Sequence, residues 1–108
     1  MKILGIRIDE VDMVQVLCCI QEYINLGKPH HIITLNAEIL YNARNDLALK
    51  EILSNASLVT PDGSGILWAA NKLGQPLPER VTGIDLMKEI CHQAYCNNWR
   101  LYLLGGAP

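Results

Sequence analysis

The sequence predicts an α/β fold built on a mostly parallel sheet with helices against it. Three observations predict it. Short β-branched runs alternate with longer segments of helical periodicity. Glycines and prolines punctuate them. Strand-like and helix-like segments alternate along the chain, which is the pattern of crossover-connected parallel strands.

Each element has its own justification. Ile3 to Ile8 reads as a first strand. Asp9 is placed to cap the following helix, with Asp12 three residues on in capping-box spacing. Val14, Leu17, Cys18, Gln21 and Ile24 recur at helical spacing, and Gly27 and Pro29 end that helix. His31 to Leu35 is short and β-branched, a second strand. Ala37 to Arg44 and Leu47 to Ser54 form one broken helix or two short ones. Leu58 to Thr60 is a third strand, and Ser64 to Leu73 is a helix stopped by Gly74. Pro76 and Pro78 make Gln75 to Val81 a loop or extended segment. Thr82-Gly83-Ile84-Asp85 opens another helix, with Leu86, Met87, Ile90, Cys91, Ala94 and Tyr95 as its apolar face. Arg100 to Leu104 reads as a fourth strand running into Gly105-Gly106-Ala107-Pro108. The result is a truncated Rossmann-like arrangement of about four strands. The last strand lacks a crossover helix, so the chain reads as the N-terminal part of one larger domain, residues 1–108 being its first portion. An uncovered strand of this kind predicts marginal stability or pairing with a second copy, a homo-oligomer.

Bulk properties narrow the function classes. The chain has 108 residues, enough for one small domain and too few for two. Nine basic and eleven acidic side chains give a net charge of -2, which offers no electrostatic reason to expect nucleic acid. No apolar run reaches the ~18 to 20 residues of a membrane span. The N-terminus, Met1 to Asp9, is too short and too charged for a signal peptide, so a cytosolic setting is expected. Cys18, Cys19, Cys91 and Cys96 have neither Cys-x-x-Cys nor zinc-ligand spacing, and are expected as small apolar thiols in or near the core. Trp68 and Trp99 are expected as packing residues, and His30 and His31 at the surface.

The chemistry concentrates where parallel strands end. Thr60-Pro61-Asp62-Gly63-Ser64-Gly65 puts a carboxylate in a glycine-rich turn between a strand and a helix, where open α/β sheets hold ligands. Strand two delivers Thr34 and Asn36 to the same edge, strand three delivers Thr60 and Asp62, and strand four delivers Gly105 and Gly106. Arg80, Thr82 and Asp85 arrive from the proline-rich loop and the helix it feeds. Helix N-termini and arginine favour phosphate, and a lone carboxylate beside them suits a general base acting on a hydroxyl. Each residue also has a plain structural alternative. Asp62, Thr82 and Asp85 can be helix caps, Arg80 a solvated charge, Thr34 and Asn36 partners of free backbone groups, and Gly105-Gly106 an ordinary turn.

The order of the segments adds a further reading. Ile33-Thr34-Leu35-Asn36-Ala37-Glu38-Ile39, then Leu-Val-Thr-Pro-Asp62-Gly-Ser-Gly, then Leu77-Pro78-Glu79-Arg80-Val81-Thr82-Gly83-Ile84-Asp85-Leu86, then Leu103-Leu104-Gly105-Gly106 resembles the WecG/TagA/CpsF glycosyltransferase family. The resemblance runs along nearly all of the chain and covers about the first half of the family's domain. It implies an inverting transferase that needs neither metal nor cofactor. The donor would be a UDP-sugar, UDP-N-acetylmannosamine, and the acceptor an undecaprenyl-diphosphate-linked N-acetylglucosamine. The products would serve teichoic acid or other cell-surface polysaccharide synthesis. The complete enzyme would lie in the cytoplasm, peripheral to the inner face of the plasma membrane. By the same resemblance Asp62 is the base, Arg80 faces diphosphate oxygens, and Thr34 and Asn36 line the pocket. The alternatives are a non-catalytic module that binds UDP or phosphate through the same turns, and an inactive remnant.

Overall fold

The structure, a computed structural model, describes residues 1–106. It is mixed α/β, with five helices and four strands in two separate ladders among the described residues. Strands β3 (Ile32–Leu35) and β4 (Leu58–Pro61) pair in parallel, with Thr34 opposite Thr60 and Leu35 opposite Pro61. Helix α1 (Met13–Leu26) precedes this ladder. Helices α2 (Ala37–Ala43) and α3 (Leu47–Asn55) form the crossover between its strands, and α4 (Ser64–Lys72) and α5 (Gly83–Asn97) follow it.

The pleat explains how helices come to lie on both faces of so small a sheet. Successive strand residues point to opposite sides. Leu35 and Val59 point to a core shared with Leu40 and Ala43 of α2, Leu53 of α3, and Ile66 and Ala70 of α4. Ile32 and Leu58 point the other way, to a core with Val16 and Ile20 of α1 and Leu86 of α5. Both faces are therefore covered, as a parallel ladder requires.

The first strand differs from expectation. Residues 2–7 are a tight hairpin, β1 (Lys2–Ile3) against β2 (Ile6–Arg7), with Leu4 at φ 52° and Gly5 at φ 78°. Two central residues at positive φ match the twist of a two-residue hairpin turn. Leu4 adopts the left-handed region without the asparagine or glycine that would normally announce it. Asp9 is then not a helix cap. Its backbone N–H donates to Val59 O (2.8 Å), and its Oδ2 accepts from Val59 N–H (2.7 Å). Asp9 thereby closes the edge of β4 that β3 does not use, and Arg7 pairs with it at 3.5 Å. Removing it in Asp9→Ala leaves the Val59 N–H buried without a partner, a cost of about 1–3 kcal/mol. Urea denaturation of the two proteins measures this, and Asp9→Asn, which keeps the acceptor, is expected to cost less.

The capping box sits three residues later than the sequence suggested. Asp12 Oδ1 accepts from Gln15 N–H at 2.8 Å, and Gln15 Oε1 accepts from Asp12 N–H at 2.9 Å. The buried stripe of α1 moves accordingly to Val16 and Ile20, while Val14 and Ile24 are exposed. In α5, Leu86 and Ala94 are buried and Ile90 is partly so, but Met87, Cys91 and Tyr95 face out. Trp99 packs on the α1/α5 core, whereas Trp68 is exposed. All four cysteines are free, and three are exposed rather than in the core. Burial pushes the thiol of the half-buried Cys19 above its ordinary value, with Glu22 adding to the effect. His30 and His31 are both exposed, His30 stacking on Tyr23.

The largest departure is at the end. Residues 100–104 form no strand, and Leu101 to Leu104 are exposed. A strand exists only where its N–H and C=O groups find a ladder, and none of β1 to β4 pairs with this segment. The α/β class and the helix-flanked parallel ladder hold, but that ladder has two strands. Ala107 and Pro108, the end of the expected glycine turn, lie outside the described residues. No helix among the described residues is long and apolar enough to cross a membrane.

Candidate functional site

Because β3 and β4 are parallel, their C-terminal ends open at the same edge. The chain leaves β3 through Asn36, whose Oδ1 accepts from Ile39 N–H at 2.8 Å and caps α2. It leaves β4 through Asp62, whose N–H donates to Leu35 O at 2.9 Å and extends the ladder by one residue. The residue that caps α4 is Gly63, at φ 97° and with no side chain to accept a bond. That conformation suits glycine, and it frees Asp62 from the capping role its position offered.

Asp62 is directed across the site. Its Oδ2 accepts from Gly83 N–H, in the first turn of α5, at 3.2 Å. That N–H has no intrahelical partner and carries the positive end of the helix dipole. The segment reaching it is pinned residue by residue. Glu79 Oε1 accepts from Met13 N–H at 2.7 Å, tying the loop to the start of α1. Val81 is fully buried, and its N–H donates to Pro61 O at 2.6 Å. Thr82 Oγ1 accepts from Asp85 N–H at 3.1 Å and caps α5.

Asp62, Gly63, Arg80, Thr82, Gly83, Ile84 and Asp85 line one open cleft of about 590 Å³. Arg80 is exposed and makes no ion pair among the described residues. Thr34 stands behind the cleft. Its Oγ1 lies 3.4 Å from the point a β-carbon on Gly83 would occupy. The structure thus brings Asp62 and Arg80 to one cleft, with Thr34 close behind Gly83. It places Asn36, half-buried, at the same sheet edge, where its carbonyl is spent on α2. It does not bring Gly105 and Gly106 there. Both are exposed, at φ 115° and 84°, in the segment that forms no strand.

Gly83 escaped the sequence reading as a participant, whereas Thr60 was expected at this sheet edge from strand three. Gly83 holds Asp62, and the only sign of this was a glycine at the start of a helix that does not need one. Thr60, opposite Thr34, is fully buried with no partner for its hydroxyl among the described residues. A threonine in a β-branched strand gave no signal of that.

Residues 1–108 match, from end to end, the Glycosyl transferase WecG/TagA/CpsF family. The chain belongs to the WecG/TagA/CpsF glycosyltransferase family. It is also similar to curated proteins of Staphylococcus aureus strains NCTC 8325 / PS 47 and COL, each named N-acetylglucosaminyldiphosphoundecaprenol N-acetyl-beta-D-mannosaminyltransferase. Identity to each is 34% over 105 residues, covering 95% of this chain and 41% of the relative. The chain therefore spans about two fifths of the length of these WecG/TagA/CpsF relatives.

Proposed function

We propose that this chain carries the base-bearing part of a single catalytic domain. That domain would transfer N-acetylmannosamine from UDP-N-acetylmannosamine to undecaprenyl-diphosphate-linked N-acetylglucosamine, with inversion. The observation that carries the reading is the cleft in which the Asp62 carboxylate, the exposed Arg80 guanidinium and the start of α5 meet. The S. aureus relatives, as their names state, act on the acceptor and transfer the sugar proposed here.

The chemistry asks for this combination. A sugar hydroxyl is a poor nucleophile, so its proton must leave as the new bond forms. The acceptor oxygen attacks the anomeric carbon, and the bond from that carbon to the diphosphate oxygen breaks. The electron pair departs with UDP, and the hydroxyl proton passes to Asp62. A single displacement of this kind inverts the anomeric centre. Negative charge grows on the leaving diphosphate, where Arg80 can take two oxygens at once. Thr34 and Asn36 would line the pocket floor. A lipid-linked acceptor would place the reaction at a membrane surface on the cytoplasmic side, the protein being peripheral.

The test uses the protein expressed from its native gene, given UDP-N-acetylmannosamine and a short-chain polyprenyl-diphosphate N-acetylglucosamine. The expected result is UDP release that requires the acceptor, together with a disaccharide-lipid product. UDP bound without any transfer would instead support a binding module, and would overturn the proposal.

A further inference from the structure

Gly83 has no conformational reason to be glycine. It is the first residue of α5, and its φ is not in the left-handed region. At such a position alanine is accepted as readily as glycine, since its helix propensity is higher. What glycine supplies here is space. A β-carbon at this site would stand 3.4 Å from Thr34 Oγ1 and 3.8 Å from Asp62 Oδ2, in ordinary contact with both. No backbone or side chain need shift to admit it. The glycine therefore maintains a notch one methyl group wide, bounded by a hydroxyl and a carboxylate.

The polar groups behind the notch point the same way. Thr34 and Thr60 stand opposite each other on one face of the ladder, in the row that continues to Asp62. The Thr60 hydroxyl is completely buried and unpartnered, and Thr34 makes no side-chain hydrogen bond among the described residues. Buried hydroxyls are normally satisfied. Thr60 is an exception to this, and its ladder partner Thr34, half-buried, has its Oγ1 at the edge of the notch, so spare hydrogen-bonding capacity lies where a hydroxyl-bearing ligand would enter.

We infer that the notch over Gly83 receives the nucleophilic hydroxyl of the acceptor sugar, holding it between Thr34 Oγ1 and Asp62 Oδ2, and that Gly83 determines acceptor use by keeping the notch open. This rests on the transferase reading above. Thr34 orients the hydroxyl, and Asp62 receives its proton as the oxygen attacks. Gly83 acts only through the room it leaves, and through the N–H that fixes the carboxylate. The UDP moiety lies outside the notch, along Arg80, so donor binding does not depend on it.

Gly83→Ala tests this, because the substitution should fold at least as well as the natural residue while occupying the notch. The expected result is a melting temperature no lower than that of the unsubstituted protein. The UDP dissociation constant stays within twofold, and sugar transfer falls about a hundredfold, as a misplacement of about 1 Å at a reacting atom can cause. Transfer within threefold of the unsubstituted protein overturns the notch and leaves the transferase reading standing. UDP affinity that falls in step with transfer also overturns it, since the substitution then acts on the whole cleft. If the unsubstituted protein itself transfers no sugar, the reading fails first and the notch with it. Should Gly83→Ala melt markedly lower, Thr34→Val supplies the same readout, keeping volume and removing the hydroxyl. Its expected result is lost transfer with UDP binding kept, and undiminished transfer overturns the inference.

Discussion

Asp62→Asn is expected to lower sugar transfer by about 10²–10⁴-fold, the range general-base groups contribute. The substitution is nearly isosteric, and the side-chain carbonyl can still accept from Gly83 N–H, so the link to α5 survives. The lost capacity is that of receiving a proton. UDP affinity should hold or tighten, because a negative charge has been removed from a cleft proposed to take a diphosphate. Initial rates of acceptor-dependent UDP release, set beside calorimetric UDP binding, separate the two effects. A variant that transfers within tenfold of the natural protein would remove Asp62 from the role of base.

The second large effect concerns the platform. Leu35 is fully buried in the core facing α2 to α4, and it lies between Thr34 and Asn36. Leu35→Ala removes three buried carbons from a ladder only two strands wide, and should cost about 2–5 kcal/mol. Against a typical domain stability of ~5–15 kcal/mol, that is a large share. Urea midpoints at unchanged slope measure it, and a shift worth less than about 1 kcal/mol would mean that the space collapses freely and the core is not close-packed there. The backbone bond from Asp62 N–H to Leu35 O does not depend on the side chain. A destabilised variant studied at low temperature should therefore retain UDP binding.

Much of this architecture could be read in the residues, for reasons visible at each element. Helices α2 to α5 are legible from local signals, such as Thr82 at the start of α5 and Gly74 after α4, and from apolar spacing that packing uses only in part, since Met87, Cys91 and Tyr95 of α5 face out. Strands β3 and β4 were evident because β-branched runs bounded by turn residues have few other uses. The Leu4-Gly5 turn was hidden because leucine rarely enters the left-handed region, so alternation read straight through it. Asp9 looked like a cap because capping is local, while its actual partner, Val59, is 50 residues away. The segment 100–104 has strand-forming residues but no ladder, which no local propensity reports. At the site, Asp62 and Arg80 were legible from their positions after a strand and after a proline-rich loop. The bond between Asp62 and Gly83 was not, because spacing along the chain does not say which helix end lies across a cleft.

Two hydrogen bonds join the β4 turn to the start of α5, Val81 N–H to Pro61 O and Gly83 N–H to Asp62 Oδ2. Helix α5 has 15 residues and so is a rod about 22 Å long. It is fastened at its start to the carboxylate, and along its length it buries Leu86 and Ala94, with Ile90 and Trp99 packed on the core it shares with α1. The carboxylate is thus tied to a packed element and not to a loose loop.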